Sequence, residues 1–444
     1  MSVVSNWLTA AAARHPDRIA IEGPERSLTY AELRHAARAG AGALAGVGRV
    51  AIALPPGENF VIALHACLLA GAAVVPIDLR LSEDEQAQRM AGAELVVDAP
   101  LVVDAPLPSS IAVEDASTTS LAGQTASVRY EGQSDREAPV AVMHTSGTTA
   151  APKPVVLTHG NFLASALGSA VALGLDLEER WLCPMPLTHV GGLSIPLRSS
   201  IYATTAVLQG RFDTEVVLNE LMDARRRITL VSLVPTMLAR LLDAGLHEPP
   251  TLRWALLGGG PTAPALLERA ADAGVPVAPT YGMTEACSQI ATFGWALPGV
   301  ELVTERDDEV LVRGPIVSAG ALSDDGWLHT GDLGRFDARG RLVITGRKAD
   351  TIVSGGENVA PAEVEAILLE HPAVADAAVH PRIDPEWGEA VVATVVLRDG
   401  ARVASDELRA HCATRLAAFK VPKTIAFTDE LPRTQSGKLL RRQL

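Results

Sequence analysis

Residues 144–160 read HTSGTTAAPKPVVLTHG, a concentration of donors that suits a polyphosphate. From 145 to 150 every side chain is small, and Thr145, Ser146, Thr148 and Thr149 carry hydroxyls around Gly147. Small side chains leave backbone N–H groups accessible, hydroxyls add donors, and Lys153 adds a full positive charge. The loop is not a Walker A: no glycine stands directly before Lys153, and Pro154 follows where Ser or Thr would be required. Taken alone, the same residues also fit an ordinary Ser/Thr-rich surface loop.

Further along, Tyr281-Gly282-Met283-Thr284-Glu285 follows an apolar run at 275–278. Ring, glycine, hydroxyl and carboxylate together could stack a base, touch a phosphate and hold Mg²⁺. A turn with a packed Tyr explains them equally well. Gly258, Gly259 and Gly260 would let backbone approach a planar ligand closely, or simply form a tight turn. They lack the GxGxxG spacing, so no dinucleotide fold is expected. In Thr330-Gly331-Asp332 the carboxylate could accept both hydroxyls of a ribose, although Asp is also common in such turns. Residues 346–350, GRKAD, with Gly355 and Gly356 beyond, read as a charged, flexible joint. Lys438 lies on a Gly-containing loop that would otherwise be a solvated basic tail.

These groups need a scaffold, and the chain supplies one. Its 444 residues exceed one core, and a hydrophobic content of 48% supports large buried cores. Strand-like and helical runs alternate: strands at 49–54, 73–77, 205–208 and 230–233, helices at 58–70, 162–173, 216–225 and 236–244. Thr29 and Glu32 form a capping signature for a further helix. This predicts α/β layering with largely parallel sheets. From Glu309 short strands suggest a small β-rich subdomain. After the joint, a helix near Pro361, strands at 373–380 and 390–397 and a helix at 406–416 read as an α+β domain. Domains are therefore expected at 1–347 and 348–444.

Composition narrows the partners. A formal charge of −14 disfavours nucleic acid, so an anionic ligand must be held locally. Nearly all basic residues are arginine, which makes Lys153, Lys348 and Lys438 more telling within motifs. The four cysteines show no zinc-ligand spacing and fit a reducing cytosol. No membrane insertion or secretion signal is expected, a cytoplasmic location is, and homo-oligomerisation is left open. No Ser/His/Asp or Cys/His nucleophile signature is present.

In order, TSGTTAAPKPVVLTHGN, YGMTEA, HTGD, GRKADTIVSGGENVAPAEVE and PRTQSGKLLRRQL make nearly the whole chain resemble the acyl-adenylate-forming superfamily of acyl-CoA synthetases, peptide-synthetase adenylation domains and luciferases. The resemblance implies activation of a carboxylate by Mg·ATP and transfer of the acyl group to CoA. It implies that residues 145–153 wrap the β- and γ-phosphates and that Gly258, Gly259, Gly260 and Tyr281 frame adenine. Thr284 would meet the α-phosphate, Glu285 would hold Mg²⁺, and Asp332 with Arg347 would bind ribose. Lys438 would bridge the substrate carboxylate and α-phosphate from a mobile C-terminal domain. The pivot falls on Ala349, where relatives more often carry Asp or Lys, so Lys348 or Asp350 could share the role. Gly355 and Gly356 would line the pantetheine passage, and His189 would gate the acyl pocket.

The passages PLTHVGGLSIPLRSSIYATTAVL and LLGGGPTAPALLERAADAGVPVAPTYGMTEACSQIAT look most like the 2-succinylbenzoate–CoA ligases of menaquinone biosynthesis. An aryl keto-dicarboxylate needs one cation beyond the catalytic lysine. Arg198 is the candidate, with Ser194, Ser288 and Thr292 as further pocket residues. Another acyl- or aryl-CoA synthetase, a stand-alone adenylating enzyme that loads a carrier protein, or a non-catalytic nucleotide- or acyl-binding protein are the alternatives. Ala150 and Pro154 replace glycines usual in the family, which predicts a stiffer phosphate loop with one fewer amide.

Overall fold

The apolar runs at 49–54 and 73–77 become the centre of a sheet because neither face of them can meet water. A computed structural model describes residues 3–101, 133–145, 153–385, 387–433 and 439–444. By contacts the chain forms two units: residues 1–167, 175–212 and 318–320, and residues 168–174, 213–317 and 321–444.

In the first unit, Leu95–Val97, Arg49–Ile52, Ala73–Pro76 and Pro139–Thr145 run parallel, with Lys153–Thr158 antiparallel at the edge. Helix Glu58–Ala70 is buried over most of its length and stops at Gly71, whose φ of +78° provides a left-handed cap. A second group, Arg180–Cys183, Thr205–Leu208 and Ile19–Glu22, is also parallel, and Ser27–Thr29 returns antiparallel. Helix Tyr30–Ala43 starts as expected: Thr29 accepts from the Glu32 amide, and Glu32 reaches back to the Thr29 amide.

In the second unit, Leu230–Leu233, Trp254–Leu257 and Val277–Met283 are parallel. The chain then reverses into Ser288–Thr292 and Trp295–Ala296. The β-rich subdomain is a four-stranded antiparallel sheet of Glu301–Thr304, Glu309–Arg313, Leu328–Phe336 and Leu342–Arg347. The C-terminal segment packs helices Pro361–Leu369 and Ser405–Ala413 on a sheet built around Val374–Asp384 and Gly388–Leu397. The fold class is the α/β arrangement expected, with an α+β segment at the C-terminus.

Boundaries shift where a cap decides them. Helix Thr214–Met222 begins two residues before the expected 216, because the Asp213 side chain accepts the Val216 amide at 3.0 Å. Helix Ser405–Ala413 ends short of the expected 416. Among the described residues no helix is long and apolar enough to cross a membrane.

Candidate active site

Strand Pro139–Thr145 pairs with Lys153–Thr158 so that Thr145 lies opposite Lys153, and Thr145 Oγ1 donates to the Lys153 carbonyl at 3.5 Å. The residues flanking the candidate phosphate-binding segment are thus held in one ladder, and Lys153 is exposed. Ser146, Gly147, Thr148, Thr149 and Ala150 lie outside the described residues. Pro154 falls on the edge strand, where sheets tolerate proline.

The second unit gathers the remaining nucleotide candidates. Asp332 is buried; Tyr281 donates its phenol to Asp332 Oδ2 at 2.9 Å, and Arg347 Nε donates to Oδ1 at 2.8 Å. Burial and the Asp332 charge both push the Tyr281 pKa up, so the phenol stays protonated. Cross-strand register brings Asp332 and Arg347 together, because their Cα atoms are ladder partners. Gly282 could be no other residue: a Cβ there would lie 1.6 Å from the Ser288 carbonyl oxygen. Gly258 is similarly confined by Thr280, and Gly259 has a φ of +81°. Met283 ends the strand, and Thr284 and Glu285 occupy the single 3-10 turn that follows. That turn leaves through Cys287 and Ser288, both at positive φ (50° and 88°). Among the described residues Glu285 is half-buried and makes no hydrogen bond or ion pair, so its carboxylate is available to a cation.

The acyl candidates separate into two groups. His189 occupies the N-cap position of helix Val190–Tyr202 without a side-chain cap bond. Desolvation holds its pKa below the usual value; Asp78 opposes that shift while Arg80 and Arg89 add to it, which keeps the imidazole neutral. On the same helix Ser194 is buried and donates to the Val190 carbonyl at 2.6 Å. Arg198 is buried too, donating to Ser165 Oγ at 2.9 Å with its guanidinium 5.7 Å from the Trp181 ring centre. In the second unit, Thr292 is buried against Gln289 and Thr280, while Ser288 is half-buried at the strained turn.

At the joint, the residues flanking Ala349 are tied to different neighbours. Lys348 Nζ pairs with Asp307 at 2.6 Å and Glu309 at 2.9 Å. Asp350 pairs with Arg441 at 3.2 Å, and Arg441 also pairs with Glu365 at 2.6 Å. Gly355 and Gly356 form a two-residue hairpin with φ of +60° and +86°, a turn that favours glycine at both positions. Lys438 lies outside the described residues. Glu309, buried between the Gly331 amide and Lys348, carries no sequence signal beyond a lone Glu before an apolar strand.

The AMP-binding enzyme profile matches residues 8–318, and the AMP-binding enzyme C-terminal domain matches 363–438. The chain belongs to the AMP-binding enzyme family. Within it, the 2-succinylbenzoate–CoA ligase of Bacillus cereus is 38% identical over 100% of this chain and 98% of that protein. The enzyme of the same name from Bacillus licheniformis is 37% identical over 99% of both. The o-succinylbenzoate CoA synthetase of Bacillus subtilis, solved with the acyl-adenylate intermediate OSB-AMP, superposes with a TM-score of 0.86 at 35% identity, covering 100% of this chain and 98% of the other. The same Bacillus subtilis enzyme with ATP and magnesium ion gives 0.85. Tyr281, Asp332 and Arg347 therefore form a polar cluster within an AMP-binding fold.

Proposed function

We propose that this chain is an AMP-forming acid–thiol ligase that converts 2-succinylbenzoate, ATP and CoA into 2-succinylbenzoyl-CoA, a step of menaquinone biosynthesis. The observation that carries the reading is full-length similarity to ligases of that name, together with an Asp332 carboxylate gripped by Tyr281 and Arg347. Asp332 then accepts the ribose hydroxyls, and Gly258, Gly259 and Gly260 leave room for adenine. Residues 145–153 hold the β- and γ-phosphates. Glu285 holds Mg²⁺, which neutralises phosphate charge when bound.

Two displacements follow one another. A substrate carboxylate oxygen attacks the α-phosphorus and pyrophosphate leaves; the CoA thiolate then attacks the acyl carbon and AMP leaves. Lys438, on the mobile segment 348–444, offsets repulsion between carboxylate and phosphate in the first step. His189 gates the acyl pocket and Arg198 pairs with the unreacted carboxylate; Ser194, Ser288 and Thr292 are further candidates for acyl contact. Ala349 is the pivot, and Gly355 and Gly356 admit pantetheine for the second step. A panel of acids in a pyrophosphate-release assay tests the reading: 2-succinylbenzoate is the preferred acid. Turnover of benzoate or fatty acids without turnover of 2-succinylbenzoate overturns it.

A further inference from the structure

Glu309 opens the strand Glu309–Arg313 and is buried. Its two oxygens serve different neighbours: Oε1 accepts the Gly331 amide and Oε2 accepts Lys348 Nζ, each at 2.9 Å. Gly331 directly precedes Asp332, with a φ of +67°, and Lys348 directly follows Arg347. One carboxylate thus bonds the chain neighbours of both residues that form the Asp332–Arg347 pair. Within the turn, Thr330 Oγ1 also donates to the Val310 carbonyl at 2.7 Å and accepts the Asp332 amide at 3.0 Å. A buried carboxylate is costly to desolvate, and a well-packed apolar residue is often as stabilising. What an apolar residue could not supply is this double anchorage.

We infer that Glu309 is a positioning residue for the nucleotide, fixing the Thr330-Gly331-Asp332 turn and the Arg347–Lys348 segment against each other so that Asp332 meets the ribose in one geometry. This rests on the ribose role proposed for Asp332 and Arg347. Glu309 does not touch the nucleotide; it acts through the backbone at Gly331 and through Lys348. Substitution should therefore degrade ribose recognition without touching acid recognition.

The test compares the full chain with E309Q, E309A and K348M in acid-dependent ATP–pyrophosphate exchange, using ATP and 2′,3′-dideoxy-ATP. E309A is expected to raise KM for ATP by about tenfold or more, with KM for the acid nearly unchanged. E309Q keeps the shape and an acceptor for Gly331 but opposes an amide N–H₂ to Lys348. It should lose at least about threefold of the preference for ATP over the dideoxy analogue, and K348M a smaller part. The inference is overturned if E309Q retains the full preference, or if every KM and kcat worsens together. If the unsubstituted chain gives no exchange with any acid, the ligase reading fails instead.

Discussion

The phenol of Tyr281 donates to Asp332 Oδ2 at 2.9 Å, joining strand Val277–Met283 to the four-stranded antiparallel sheet. Asp332 therefore has three claims on it: Tyr281, Arg347 and, in the proposed complex, the ribose. Tyr281→Phe removes one donor and leaves the carboxylate and its arginine in place. It should weaken ATP by about three- to tenfold, the net worth of one ordinary hydrogen bond, because Tyr281 acts on the ribose only through Asp332. Asp332→Ala removes the shared acceptor and strands Arg347, so KM for ATP should rise about a hundredfold or more. Steady-state KM for ATP in pyrophosphate release separates the two; equal effects would sink the hierarchy.

Two glycine-to-alanine changes should act in opposite directions. At Gly282 the added Cβ would sit 1.6 Å from the Ser288 carbonyl oxygen, so the strand pair must part. Adenylation should fall by about a hundredfold or more, with a lowered thermal midpoint. At Gly42, inside helix Tyr30–Ala43, a Cβ meets nothing within 4 Å. There alanine should stabilise by about 0.5–1 kcal/mol and leave activity alone. Thermal melts beside exchange rates check both, and a well-folded, active Gly282→Ala would contradict the close approach.

Lys438→Ala tests the division of labour between the two displacements. One cation directed at the developing phosphorane charge is worth about 3–4 kcal/mol, a loss of about 10²–10³ in the adenylation rate. Thiolation of preformed acyl-adenylate should be largely spared. Single-turnover assays of each step read this directly, and equal losses in both would refute the role.

Much of the scaffold was legible because periodicity reports burial. Helix Glu58–Ala70 and strands Thr205–Leu208 and Leu230–Leu233 match their apolar runs in the sequence. Strand Ser288–Thr292 was not legible, since it follows Cys287 and Ser288 at positive φ, a reversal that neither residue type signals. Thr424–Phe427 buries only Ile425, so it shows no alternation. In the site, the Asp332–Arg347 pair was anticipated as two ribose residues, and ladder register explains why a fifteen-residue gap closes to 2.8 Å. Glu309 escaped notice because its meaning comes from Gly331 and Lys348, far along the chain and brought close only by the sheet.

Acid should destabilise the chain through His65, which is buried within helix Glu58–Ala70 with Nε2 3.1 Å from Ser200 Oγ. Ser200 donates its proton to the Pro196 carbonyl at 3.0 Å, which assigns the Nε2 proton to the histidine as donor. Desolvation lowers the imidazole pKa to about 4, against an ordinary value of about 6.5. Above about pH 6.5 both folded and unfolded forms are neutral and the stability contribution is intact. As pH falls, the unfolded chain takes up the proton first, so stability is lost progressively between about 6.5 and 4, to the extent of about 3 kcal/mol. His159, also pushed to about 4 by burial, adds a loss in the same window. Urea midpoints at about pH 7.5 and 4.5 test this in the chain and in His65→Gln, whose amide can still bond Ser200 but does not titrate. The variant starts from its own baseline, so the slope is the readout: it should lose distinctly less stability on acidification. Parallel losses in the two proteins would show that His65 is not a titrating liability.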